Sequence, residues 1–79
     1  MGNNYAKITD SNRVIIISQS KTHYNVTYLD KSYSIKIEDI NAIARDINWK
    51  IHDEVLIDLI AIYIDNCQDI NKTIKAITG

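Results

Sequence analysis

His23, His52 and Cys67 are the residues of this 79-residue chain best suited to ligate a transition metal or to attack a substrate. A structural zinc ion is held by four such ligands at short paired spacings. A reactive thiolate needs a cation or base beside it. The three residues are far apart in sequence, and Cys67 lies on an apolar helical seam where it reads as a small hydrophobe. His52-Asp53-Glu54 stands at a helix start, where an acid is explained as a cap. The only glycines are Gly2 and Gly79, so no glycine-rich loop is available to cradle phosphate. Asn25-Val26-Thr27 and Asn71-Lys72-Thr73 match the glycosylation sequon, but nothing routes the chain to secretion. The expectation is a protein that is not an enzyme and has no metal site and no cofactor.

Charge offers a different chemistry. Residues 1–37 carry five Lys or Arg against two acids, a balance of +3, and residues 38–79 carry four against eight, a balance of −4. In the second half, Glu54, Asp58 and Asp65 fall within about 60° of one another on a helical wheel, with Ala61 between them. Together with Asp46 they form an acidic stripe suited to a basic protein groove, in the manner of phosphates, and charge matching of that kind speeds association. A solvated face that keeps the domain soluble is the plainer reading of the same residues. The segment from Asp53 to Asp65 contains no Lys or Arg, which argues against DNA contact through these helices.

In the first half, Tyr24, Tyr28 and Tyr33 stand near Arg13, Lys21, Lys31 and Lys36. Aromatic rings beside basic side chains would suit stacking on single-stranded nucleic acid. Tyrosine at alternate strand positions is more often core, and that is the preferred reading.

These residues must be positioned by a small domain. A chain of this length buries only about 60–65% of its unfolded surface. With one cysteine it has no disulfide to help. A lone thiol fits a reducing cytoplasm. Met1-Gly2-Asn3-Asn4 lacks the basic and apolar regions of a signal peptide, and Leu59–Ile64 is too short to span a bilayer. The expected location is the cytoplasm, of a host cell if the gene is phage-borne. Seventeen isoleucines against three leucines reflect AT-rich coding more than function, although their branched Cβ favours strands.

Strand-like runs alternate with turn chemistry at roughly ten-residue spacing over residues 1–37. Tyr5–Ile8 is a short strand, followed by a turn at Asp10-Ser11-Asn12. Arg13–Ser18 is apolar at every central position, which predicts a strand covered on both faces. His23–Leu29 alternates with Tyr24, Val26 and Tyr28 on one side. Asp30-Lys31-Ser32 turns the chain into a strand carrying Tyr33, Ile35 and Ile37. Short connections predict an antiparallel meander of three or four strands.

The period changes at Glu38. Ile40, Ile43, Ala44 and Ile47 share a helical stripe, with Glu38 and Asp39 in the first turn and Asn48-Trp49 closing it. Asp53 is the expected N-cap of a second helix that is apolar almost all round, so it must be covered on two or more sides. Leu56, Ile60, Tyr63, Cys67, Ile70, Ile74 and Ile77 continue at 4-3-4-3-4-3 spacing as an a/d seam. One uninterrupted helix along that seam would be about 38 Å long. The favoured alternative breaks near Asp65-Asn66, with Asn66 as C-cap and Asp69 capping a third helix.

The sequence therefore predicts a single α+β domain, residues 1–79, with an N-terminal antiparallel three- or four-stranded meander followed by two or three helices packed on one face. Minimal size, no catalytic constellation and abundant apolar helix surface suggest a stand-alone module acting by stoichiometric binding to a protein partner. Small proteins of AT-rich phages and mobile elements share this size and composition. By that analogy the target is host nucleic-acid-handling or defence machinery. The alternatives are a nucleic-acid-binding regulator using the Tyr-bearing sheet, and a self-associating adaptor that dimerises through the Leu56–Ile77 seam. No membrane contact is expected.

Overall fold

Alternation of apolar and polar residues along the first half produces a sheet with two unlike faces. The computed structural model describes the backbone of residues 4–8 and, in full, residues 14–79. Strands β1 (Asn4–Ile8), β2 (Val14–Gln19), β3 (His23–Tyr28) and β4 (Lys31–Lys36) form one antiparallel sheet in the order β1-β2-β3-β4. Helices α1 (Ile37–Asp46), α2 (Asp53–Asp65) and α3 (Ile70–Thr78) follow. This is the α+β meander, with four strands and three helices among the described residues. The turn expected at Asp10-Ser11-Asn12, and Arg13, lie outside the described residues.

One core joins the two halves. Ile15 and Ile17 from β2, Tyr24, Val26 and Tyr28 from β3, and Ile35 from β4 meet Ile40 and Ile43 of α1 and Leu56, Ile57, Leu59 and Ile60 of α2. Ile70, Ile74 and Ile77 of α3 pack against its margin. The molecule measures 31 × 27 × 20 Å, and the shortest dimension is about that of one helix layer on one sheet layer. All three helices lie on the face bearing Ile15, Ile17 and Tyr24.

The expectation that β2 is covered on both sides is therefore corrected. Ile15 and Ile17 are fully buried, whereas Val14 and Ile16 are 58% and 46% exposed. The meander places helices on one face only, so alternate isoleucines of one strand meet different environments.

The β3–β4 connection is a two-residue turn, Leu29-Asp30, with φ of 53° and 63°. Two consecutive left-handed residues match the type I′ geometry that suits a twisted hairpin, where Asn-Gly is the favoured pair. Leucine is an unusual occupant of that position, and it is 54% exposed.

Helix ends explain the remaining differences. Helix α1 begins one residue earlier than expected, and Ile47 is its C-cap. His52, in extended conformation, occupies the cap position before α2 and makes no side-chain cap bond. Asp53 is instead the first helical residue, where its charge still favours the positive end of the helix dipole. The expected break after α2 is present. Asn66 is the C-cap, and Cys67 and Gln68 adopt φ of 61° and 55°. The amides of Cys67 and Gln68 donate to Ile64 O at 3.1 Å and Tyr63 O at 2.8 Å, which closes the helix in a Schellman motif. The Asp69 carboxylate then accepts from the Lys72 amide at 2.9 Å and caps α3.

Candidate functional site

The loop Asn48–His52 is held at both ends by backbone bonds that the local sequence dictates. Asn48 takes φ of 60° after the last turn of α1, a conformation asparagine tolerates better than most residues. Its amide donates to Arg45 O at 3.3 Å, and the Trp49 amide donates to Ala44 O at 2.9 Å. This pair is a second Schellman motif. At the other end, the Leu56 amide donates to His52 O at 2.8 Å.

The loop presents the chain's one tryptophan to solvent. Trp49 is 40% exposed and Ile51 37% exposed. Trp49, Asn48, Lys50, His52, Val55 and Asp58 line a shallow depression of about 370 Å³. Exposed acids flank it in sequence, with Asp46 at the end of α1 and Asp53 and Glu54 in the first turn of α2.

The acidic stripe read from the sequence is thereby divided. Glu54 and Asp46 are exposed, and Asp58 is half-buried in the wall of the Trp49 depression. Ala61, between Asp58 and Asp65, is buried. Asp65 sits two turns further on and accepts a long hydrogen bond, 3.5 Å, from the Tyr28 hydroxyl. Asp58 thus lines the Trp49 depression and Asp46 and Glu54 flank its loop in sequence, while Asp65 bonds to a core tyrosine.

The seven seam residues are likewise divided. Leu56, Ile60 and Tyr63 are buried in the core. Ile70, Ile74 and Ile77 are half-buried against it. Cys67 is exposed in the left-handed link between α2 and α3, which corrects the reading of this thiol as a buried hydrophobe. The helical spacing is genuine on both sides of residue 67, but the chain turns there, so no single helix displays all seven.

The tyrosines resolve in favour of the core. Tyr24 and Tyr28 are 4% and 1% exposed beneath the helices, and Tyr33 packs against the same cluster. Neither of the first two presents a ring face for stacking. Lys31 and Lys36 stand at opposite ends of β4. Lys21 and Lys36 share a depression of about 420 Å³ with His23, Glu38 and Asn41.

The phenol of Tyr63 has a raised titration point. Burial raises its phenol above the ordinary value of 10.0, and the neighbouring carboxylate of Asp39 adds to that effect. The Tyr63 hydroxyl donates to Asp39 Oδ2 at 3.3 Å. No three His, Cys, Asp or Glu side chains gather as a metal site among the described residues. Among the same residues no helix is long and apolar enough to cross a membrane.

The sequence reading placed Trp49 only as a helix stop. The missed signal was local: Asn48 permits the left-handed C′ residue, and the residue after it is then directed away from the helix. Compared with protein-family models, curated proteins and solved structures, the chain matches none of them.

Proposed function

We propose that the protein is a binding module that acts by stoichiometric capture of a protein partner, with the Trp49 loop as its anchor. The observation that carries this reading is a tryptophan 40% exposed on a loop tied at both ends by backbone bonds. Tryptophan is prominent among the residues that dominate interface energies, because one ring fills a pocket at small entropic cost. A pre-formed loop reduces the ordering cost of binding further. Ile51 extends the apolar contact, Asp46, Asp53 and Glu54 flank the loop in sequence, and Asp58 lines the depression together with Lys50 and His52.

A partner that fits has an apolar pocket bordered by Lys or Arg. Grooves that otherwise hold nucleic-acid phosphates have such borders, and host nucleic-acid-handling or defence proteins are the class this reading favours. The flanking acids set association rate and salt dependence, and the ring sets residence time.

The test places a photo-crosslinking amino acid at Ile51 and captures partners from the native host. A Trp49→Ala version of the same probe should retain its unfolding midpoint and lose the specific crosslinks. Glu54→Lys should slow association and weaken its dependence on salt. Equal capture by the wild-type and Trp49→Ala probes would overturn the reading.

A further inference from the structure

The sheet face turned away from the helices is open across β2, β3 and β4. Its described positions are Val14, Ile16, Ser18, Asn25, Thr27, Ser32 and Ser34, with His23 and Lys36 at one end. The register sets Ile16 beside Thr27 and Thr27 beside Ser32, a row of short side chains running across three strands. In β1, Ala6 pairs with Ile16 and Ile8 with Val14. Val14 and Ile16 are 58% and 46% exposed at its apolar end, and Leu29, in the adjoining β3–β4 turn, is 54% exposed.

Leu29 breaks two local rules at once. It takes a left-handed φ of 53° in a turn that Asn or Gly would fill without strain, and it exposes an apolar side chain there. A residue that is both strained and exposed contributes little to the fold at its own position. Departures of this kind concentrate where a contact outside the fold is made.

We infer that this open face is a sheet-on-sheet interface with a second copy of the chain. Charge favours that occupant. Among the described residues the strand positions of the face carry no acid, and their one lysine, Lys36, lies at the end away from Val14; Asp30 stands beside Leu29 in the turn. A strongly charged partner finds no counter-charge there, whereas a second copy offers the same flat, neutral surface. Short side chains such as Ser32, Ser34 and Thr27 allow two sheets to approach to about 10 Å.

Area sets the strength. Four strands of five or six residues span roughly 18 by 19 Å, about 340 Å² in projection. Two such faces supply about 700 Å², and side-chain relief raises this towards about 1,000 Å², the low end for specific interfaces. The dimer is therefore a weak one that dissociates on dilution, with affinity poorer than about micromolar. The Trp49 loop lies outside this face, so the inference stands independently of the proposed partner capture.

Sedimentation equilibrium of the full chain, from about 10 µM to about 1 mM, reads the association directly. The expected result is a rise in average mass from monomer towards dimer, with amide resonances of Ile16, Asn25, Thr27 and Ser34 shifting over the same range. Ile16→Lys should weaken association at least tenfold. Leu29→Asn should raise the unfolding midpoint while weakening association, opposite effects that a purely structural turn residue would not give. Thr27→Glu is a second disruptive variant should Ile16→Lys lose its fold. A monomer at every concentration overturns the inference. So does a dimer that folded Ile16→Lys or Thr27→Glu leaves intact.

Discussion

Ile15 and Ile16 are the same residue at consecutive positions of β2, yet the first is fully buried and the second is 46% exposed. The contrast extends across the sheet. On the covered face, Tyr24, Val26, Tyr28 and Ile35 join one core with Ile40 and Ile43 of α1 and Leu56, Ile57, Leu59 and Ile60 of α2. On the open face, Asn25, Thr27, Ser32 and Ser34 stand in solvent with Val14 and Ile16. The covered face is where stability resides, and the open face holds the residues that the fold does not need.

The largest expected effect separates the two faces within β2. Ile15→Ala removes a core side chain and should cost about 2–4 kcal/mol. The total stability of a domain this size is only about 4–12 kcal/mol. Ile16→Ala should cost less than about 1 kcal/mol, chiefly lost strand preference. Urea unfolding of the two variants gives both values from their midpoints. Equal losses would mean that the open face is packed and that the two faces of β2 do not differ.

That contrast was only half legible beforehand. Strict alternation at His23–Leu29 predicted the buried tyrosines correctly, because polar partners at Asn25 and Thr27 marked the other face. Val14–Ile17 is apolar throughout, and periodicity carries no information in such a run. Which face stayed open was decided by where the helices pack, a tertiary matter. The helix break at Asn66 and the Asp69 cap were readable, since both rest on side-chain chemistry with fixed offsets. Of the candidate site, the acids could be named from the sequence. Their division could not, because it depends on Tyr28 of a distant strand reaching Asp65.

Tyr63 sharpens the covered side. Its phenol is 5% exposed, bonded to Asp39, and raised above 10.0 by burial first and by Asp39 second. Below pH 10 the folded and unfolded chains both keep this proton, so the group's contribution is fully present. Above it the unfolded chain releases the proton first, and stability falls as pH rises through the higher folded value. Tyr63→Phe should cost about 1 kcal/mol at neutral pH and flatten part of the alkaline decline. Thermal melts from pH 7 to about 11 read both. An unchanged alkaline slope in Tyr63→Phe would assign the decline to other groups.

The smallest effect compares two strained links, one on each side of the molecule. Gln68 has φ of 55° in the turn between α2 and α3, as Leu29 has 53° in the β3–β4 turn. Both are exposed. Glycine adopts this conformation freely, so Gln68→Gly should stabilise the fold by about 0.4–1 kcal/mol. The gain from Leu29→Asn should be of the same order, about 0.5–1 kcal/mol, since asparagine relieves much of the left-handed penalty. If strain alone distinguishes these positions, the two substitutions are interchangeable. If the open face is an interface, they part company: Gln68→Gly leaves self-association untouched, and Leu29→Asn weakens it. Measuring unfolding midpoint and average mass on the same two samples decides between these outcomes. Loss of association in Gln68→Gly as well would trace the effect to global stability rather than to the leucine side chain.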